Sequence, residues 1–189
     1  MAGKLIIISA PSGSGKSSVI SQIIGDKDLK LEFSISATTR APRGGEIDGK
    51  DYYFLSLDDF KKKIDAGEFA EYEEVYEGRF YGTLKSEINR INNKGKNVIL
   101  DVDVKGGMNV RKMYGEQALS LFIMPPSIDV LRKRLTSRAT DAQEEIERRV
   151  NKAAYELTFA EHFDRVIVND VLEIAVEEAR NLIKDFVNN

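Results

Sequence analysis

An apolar run, Leu5-Ile6-Ile7-Ile8, breaks into A-P-S-G-S-G-K-S at residues 10–17 and then into a helix-like stretch. A β-rich run, a Gly/Ser loop and a helix in that order form the layout of a phosphate-binding P-loop. Consecutive backbone N–H groups there must curl inward around an anion at a helix N-terminus. Gly13 and Gly15 permit backbone angles and a close approach that side chains block. Lys16 can reach the terminal phosphates of a nucleoside triphosphate, and the Ser17 hydroxyl can ligate Mg2+. The candidate phosphate site is therefore Ala10, Pro11, Ser12, Gly13, Ser14, Gly15, Lys16 and Ser17. Ala10 departs from the usual pattern, which begins with Gly, but the G-K-S at 15–17 is intact. An ordinary strand-to-helix turn is the competing reading. Position, context and G-K-S together disfavour it.

The same rhythm continues along the chain. Residues 5–9, 97–102, 119–124 and 165–168 read as buried strands, and 16–24, 106–113, 128–137 and 172–187 as helices. Strands alternating with helices predict an α/β fold: a parallel sheet covered on both faces, with the P-loop after its first strand. Residues 32–37 alternate Phe33, Ile35 and Ala37 with polar residues and read as a further strand. Residues 36–83 break the rhythm, with six glycines and five of the seven tyrosines. Within them, 52–55, 69–75 and 79–81 read as short antiparallel strands around one helix at 58–66, a small mixed α+β insertion. A second insertion at about 136–157 is helical. Thr140 and Gln143 have capping-box spacing, and Ile146, Val150, Ala153, Ala154 and Leu157 mark one stripe.

Composition narrows the function. With 189 residues the chain reads as one domain with insertions, and a net charge of −3 disfavours a general nucleic-acid surface. The chain has no cysteine and one histidine, His162. The missing cysteines exclude a disulfide framework and a thiolate metal site, and the lone histidine argues against a histidine-cluster metal site and Ser-His-Asp chemistry. His162 itself reads as structural or solvated. No segment approaches the ~20 apolar residues of a membrane span, and the apolar stretch at 4–10 is too short for a signal peptide. The expectation is a cytoplasmic protein without membrane or nucleic-acid partners.

A second motif follows the P-loop: S-A-T-T-R-A-P-R at 36–43, then G-E-I-D-G-K-D-Y-Y-F at 45–54. Further on come E-F-A-E-Y at 68–72, Y-G-T at 81–83, I-L-D-V-D at 99–103, P-P-S at 125–127, R-L-T-S-R-A-T-D at 134–141 and V-N-D at 168–170. In this order and spacing the chain closely resembles the guanylate kinase family of P-loop nucleoside monophosphate kinases, over nearly its whole length. A P-loop alone could belong to many NTPases; the 36–43 motif placed after it is far more specific. The resemblance implies phosphoryl transfer from ATP to GMP or dGMP, with Mg2+ accompanying ATP. It also implies a core at 1–35, 84–133 and 158–189, a GMP-binding subdomain at 36–83, and a lid at 134–157.

The resemblance assigns Arg40, Arg43, Tyr52 and Tyr81 to the GMP phosphate. A monoester carries nearly two negative charges near pH 7, and arginine offers a planar fork of donors. Glu71 and Ser36 are assigned to guanine, with Thr83 and Asp103 nearby: a carboxylate suits the adjacent N1–H and N2–H donors, and a hydroxyl suits O6. Spacing alone does not separate Glu71 from Glu68, Glu73 and Glu74. Asp101 and Asp103 end a strand and share one face by alternation. The resemblance puts Asp103 toward guanine and Asp101 between base and phosphates, and ion pairs to Lys16 or Arg40 are the alternative. Arg138 and Arg149 match arginines that bridge the phosphates of both nucleotides, and Arg134 with Asn169 matches the adenine side. Arg132, Lys133 and Arg148 read as solvated. Lys105 stands where the family commonly has Gln, and Ala139 where many members have Gly.

The implied reaction needs no general base, because the attacking phosphate oxygen is already ionised near pH 7. Lys16, Arg138 and Arg149 are the expected catalytic cations. A non-catalytic guanylate-kinase-like module that binds phosphorylated partners is the rival reading, disfavoured by the intact P-loop. A GTPase lacks support because the chain has no N-K-x-D motif. Ser36 with Glu71 disfavours a kinase for another monophosphate.

Overall fold

The computed structural model describes residues 3–137 and 142–188. β1 (Leu5–Ser9) leads through the 10–15 loop into α1 (Lys16–Ile23), followed by β2 (Leu31–Phe33), β3 (Ala37–Thr38) and β4 (Tyr53–Phe54). Next come α2 (Leu57–Asp65), β5 (Phe69–Tyr76), β6 (Arg79–Leu84), α3 (Lys85–Asn92), β7 (Asn97–Asp101) and α4 (Val104–Tyr114). The order closes with β8 (Ala118–Met124), α5 (Ile128–Ser137), α6 (Gln143–Leu157), β9 (Arg165–Val168) and α7 (Leu172–Asn188).

The core is a five-stranded parallel sheet in the order β2-β7-β1-β8-β9. Every residue of β1 is buried, as a central parallel strand with both faces covered requires. Alternation sends Ile6 and Ile8 to one face, where they meet Val19 and Ile23 of α1 and Ala179 and Ile183 of α7. Leu5 and Ile7 face the other way, toward Ile88 and Ile91 of α3 and Val110 of α4. This matches the α/β architecture expected from the alternating pattern.

A second sheet, in the order β4-β3-β6-β5, stands apart from the first. Its packing face buries Ala37, Phe69, Phe80 and Leu84 against Phe60 of α2. α2 starts because the Ser56 hydroxyl accepts from Asp59 N–H at 3.1 Å, and it ends into Gly67 at φ 65°. Two expectations change here. The strand expected at 32–37 is two strands: Leu31–Phe33 pairs with β7 in the core, and Ala37–Thr38 pairs with β6 in the second sheet. The residues between them carry the chain from one sheet to the other. β4 also pairs parallel, not antiparallel, with β3, because a long loop rather than a hairpin joins them.

Two helices differ from the sequence pattern. α3 was not expected, since only Ile88 and Ile91 mark its core face and its N-cap, Leu84, offers no side-chain acceptor. α6 begins at Gln143 with Ala142 as its N-cap, so Gln143 occupies the first helical position and its amide donates to Glu147 at 3.3 Å. The other member of the expected capping box, Thr140, lies outside the described residues. Ile146, Val150 and Ala153 pack on Leu131 and Leu135 of α5 as the stripe predicts, but Ala154 is exposed and Glu156 is buried instead.

Candidate active site

The 10–15 loop is shaped by its glycines. Gly13 and Gly15 adopt φ 92° and 88°, the left-handed region closed to most side chains. Gly15 is the N-cap of α1, whose first turn has no side-chain cap and no acidic residue. Its orphan N–H groups are left for an external anion. Gly15 also leaves room behind the loop: a Cβ there would lie 2.2 Å from the Asn169 amide nitrogen. That amide donates to Ser14 C=O at 2.7 Å, and Arg134 donates to Asn169 C=O at 2.9 Å. Arg134 and Asn169 thus share a hollow of about 300 Å3 with Gly13 and Gly15, on the far side of the loop.

The near side opens into a cavity of about 360 Å3 lined by the loop, Lys16, Ser17, Asp101, Asp103 and Glu156. Lys16 forms an ion pair with Asp101, one of the partners expected for that carboxylate. Arg149 reaches across from α6 to the Ser12 hydroxyl at 3.3 Å and also pairs with Glu145 at 3.1 Å. Arg138 and Ala139 lie outside the described residues.

The second sheet comes close to this cavity at Asp103. Its register sets Glu71 against Thr83, and Ala37 against Gly82, so Ser36 falls opposite Thr83. Thr83 and Glu71 therefore form one row across β6 and β5, which the register extends to Ser36 just before β3, with Tyr81 and Glu73 in the next row of the same face. The Thr83 hydroxyl donates to Glu71 at 2.7 Å. Asp103 is not a second strand residue beside Asp101. It is the N-cap of α4, accepting from Gly106 N–H at 2.7 Å. A Cβ on Gly106 would lie 2.9 Å from the Glu71 carboxylate and 3.0 Å from that of Asp103. Glycine at this helix start lets the two carboxylates converge. Burial, reinforced by the charge of Asp103 and resisted by the Thr83 hydrogen bond, pushes Glu71 up to about 7. Glu73 is also pushed up to about 7, by burial and then by its hydrogen bond and charge repulsion with Asp103.

The arginine-tyrosine cluster adjoins this row through Tyr81. The Arg40 guanidinium is 4.8 Å from the Tyr52 ring centroid, and Tyr52 meets Tyr81 edge-on at 6.1 Å. Glu46 clamps Arg40 bidentately at 2.6 and 2.7 Å and also accepts from Arg43 N–H at 2.7 Å. Arg43 is exposed, with no side-chain ion pair among the described residues. Glu46 was not singled out in the sequence, although its place three residues after Arg43 was a usable signal. Glu73 and Glu156 were also missed as site neighbours. Lys105 pairs with neither Asp101 nor Asp103 and sits 5.9 Å from the Tyr155 ring. Arg132 and Arg148 stay at the surface, as expected, and there pair with Glu147 and Glu145. His162 is exposed, the solvated one of the two states expected for it.

The Guanylate kinase family model matches residues 2–186. The chain belongs to the guanylate kinase family. A guanylate kinase of Bacteroides thetaiotaomicron is 56% identical over 188 residues, covering 100% of this chain and 92% of the relative. One of Porphyromonas gingivalis is 55% identical, covering 97% of this chain and 98% of the relative. The crystal structure of a guanylate kinase from Anaplasma phagocytophilum matches with a TM-score of 0.74 at 31% identity, covering 100% of this chain and 88% of that one. Membership of the guanylate kinase family thus extends over both sheets and both helical layers.

Proposed function

We infer that the chain transfers the γ-phosphoryl group of ATP to the phosphate of GMP, giving ADP and GDP. The observation that carries this reading is Asp103, which lines the P-loop cavity with Lys16 and also converges with Glu71 of the second sheet. It joins a phosphate loop to the Ser36, Thr83 and Glu71 positions and, next to them, the arginine-tyrosine cluster. The site assignments are part of the proposal. Lys16 and the 10–17 loop hold the ATP phosphates, and Arg134 with Asn169 flanks adenine. Arg40, Arg43, Tyr52 and Tyr81 hold the GMP phosphate. Ser36, Glu71 and Thr83 read guanine, with Asp101 and Asp103 between. Arg149, together with Arg138, closes over the transferring group. In this reading 36–83 is the GMP-binding subdomain and 134–157 the lid.

The attacking GMP oxygen is ionised near neutral pH, so the protein's task is positioning and charge neutralisation. Lys16 must exchange Asp101 for the ATP phosphates. Arg40 comes preoriented by Glu46, and closure of α6 over the loop excludes water. Among the described residues no group of three or more His, Cys, Asp or Glu side chains could cage a metal. The donors present, the Ser17 hydroxyl and the Asp101 carboxylate, suit Mg2+ arriving with ATP, which keeps most of its shell as water and phosphate oxygen. When bound, Mg2+ neutralises the phosphate charge. No described helix is long and apolar enough to cross a membrane, and the cysteine-free composition supports a reducing, cytoplasmic setting.

The test is base choice. Glu71→Gln keeps the shape but turns one acceptor into a donor. GMP should lose kcat/KM steeply, by about tenfold or more. AMP, already poor, should lose little, so the GMP/AMP ratio shrinks. An unchanged ratio in a coupled ADP-release assay would refute the assignment of Glu71.

A further inference from the structure

Where the chain passes from one sheet to the other, a buried carboxylate holds the crossing. Glu87 lies in the first turn of α3 with its side chain 1% exposed. One of its oxygens accepts from Ile35 N–H at 3.1 Å and from Arg90 Nη2 at 2.7 Å. The other accepts from the Tyr53 hydroxyl and from Arg90 Nε, both at 2.8 Å. All four acceptor positions of the carboxylate are filled. Arg90 continues to Glu32 of β2 at 2.8 Å, which ties the cluster to the edge of the core sheet. Burial alone would raise the Glu87 carboxyl. Arg90, with Ile35 and Tyr53, instead holds it below its ordinary value, so it stays ionised near neutral pH.

The hydrogen bonds close a ring. Glu87 holds Ile35 N–H, and Ile35 precedes Ser36. Ser36 C=O accepts from Tyr53 N–H at 2.9 Å, and the Tyr53 hydroxyl returns to Glu87. The backbone on both sides of the Ser36 side chain is thus fixed by one carboxylate and the tyrosine it holds. An ion pair serving stability alone would need only Arg90. The bonds to Ile35 and Tyr53 point at the entry to the Ser36–Thr83–Glu71 row.

We propose that Glu87 is a positioning residue for base recognition: it clamps the 35–36 crossing against Tyr53 and so fixes the Ser36 hydroxyl where it meets O6 of guanine. This deepens the proposed function and rests on Ser36 being the O6 reader. Glu87 touches no substrate; it acts through the backbone, and a small displacement of a positioned group can cost far more than its size suggests.

The experiment compares GMP with 2-aminopurine riboside 5′-monophosphate, which keeps the 2-amino group but lacks O6 and, with it, the N1–H; the lost N1–H contact to Glu71 is common to wild type and variants, so the change in preference between them reports O6. Glu87→Gln, Tyr53→Phe and Ser36→Ala are assayed with both nucleotides, each at saturating ATP, and KM for ATP is measured separately. Tyr53→Phe removes a single hydroxyl and serves where Glu87→Gln folds poorly. The first two variants should raise KM for GMP by about tenfold and cut the GMP preference by the same factor, with kcat and KM for ATP within about twofold. In a Ser36→Ala background, Glu87→Gln should remove no further preference, since both act through one contact. A preference that falls in Ser36→Ala but holds at the wild-type value in Glu87→Gln and Tyr53→Phe overturns the role of Glu87. Melting temperatures lowered with both KM values unchanged overturn it too, because that is the mark of a purely structural ion pair. A preference unchanged in Ser36→Ala itself overturns the O6 reading, and the role of Glu87 with it.

Discussion

Binding of GMP should expel a proton from Glu71. In the ligand-free chain burial and Asp103 push this carboxyl up to about 7, so near pH 7 about half the molecules carry it protonated. A carboxylate that accepts two guanine N–H groups must be ionised, so the bound state pulls its pKa down. Linkage then gives the size of the effect. About nine-tenths of Glu71 is ionised at pH 8 and about one-tenth at pH 6, so its contribution to affinity falls about tenfold across that window. At pH 7 it releases about half a proton per GMP bound. The GMP phosphate has its own second pKa near 6, and Glu73 also titrates near 7. Both are common to the wild type and Glu71→Gln, so the difference between the two isolates Glu71. The assay is calorimetric titration of GMP at pH 7 in two buffers of different ionisation enthalpy, with Kd repeated at pH 6 and pH 8. Wild type should release about half a proton more than the variant and show the steeper loss toward pH 6. Equal proton release and equal slopes would refute the argument that guanine meets the Glu71 carboxylate.

Three further outcomes follow from the geometry. Lys16→Met should remove most turnover while leaving GMP affinity near wild type in calorimetry, because Lys16 faces the P-loop cavity and not the second sheet. Arg43→Ala should weaken GMP binding about ten- to a hundredfold, the cost of one charge-assisted phosphate contact, with ATP affinity and melting temperature nearly unchanged since the side chain is exposed. Gly15→Ala should abolish ATP binding and lower the melting temperature by roughly 4–8 °C, because a Cβ there meets Asn169 at 2.2 Å on a backbone already at φ 88°.

Features encoded in a few neighbouring residues were legible in the sequence. The P-loop needs only a strand, two glycines, a lysine and a helix start, all within residues 5–23, and backbone sterics at Gly13 and Gly15 dictate its shape. The parallel core was legible because buried strands are apolar on both faces. α3 was not, because two isoleucines make a weak stripe. The 32–37 stretch read as one strand because alternation persists through it, whereas its pairing partners change from β7 to β6 midway. Glu71 stood out from Glu68, Glu73 and Glu74 only through the resemblance. Its burial and its closeness to Asp103 depend on Gly106, 35 positions further along the chain.

What the sequence determined by itself is therefore the kind of chemistry: a phosphate loop, arginines for a second phosphate, and family motifs in order. What only the tertiary structure decided is who faces whom. Lys16 pairs with Asp101, Arg40 is held by Glu46, and Glu87 gathers Ile35, Tyr53 and Arg90. A charged side chain's partner is set by the low-dielectric space it shares, and that space exists only once distant segments have packed.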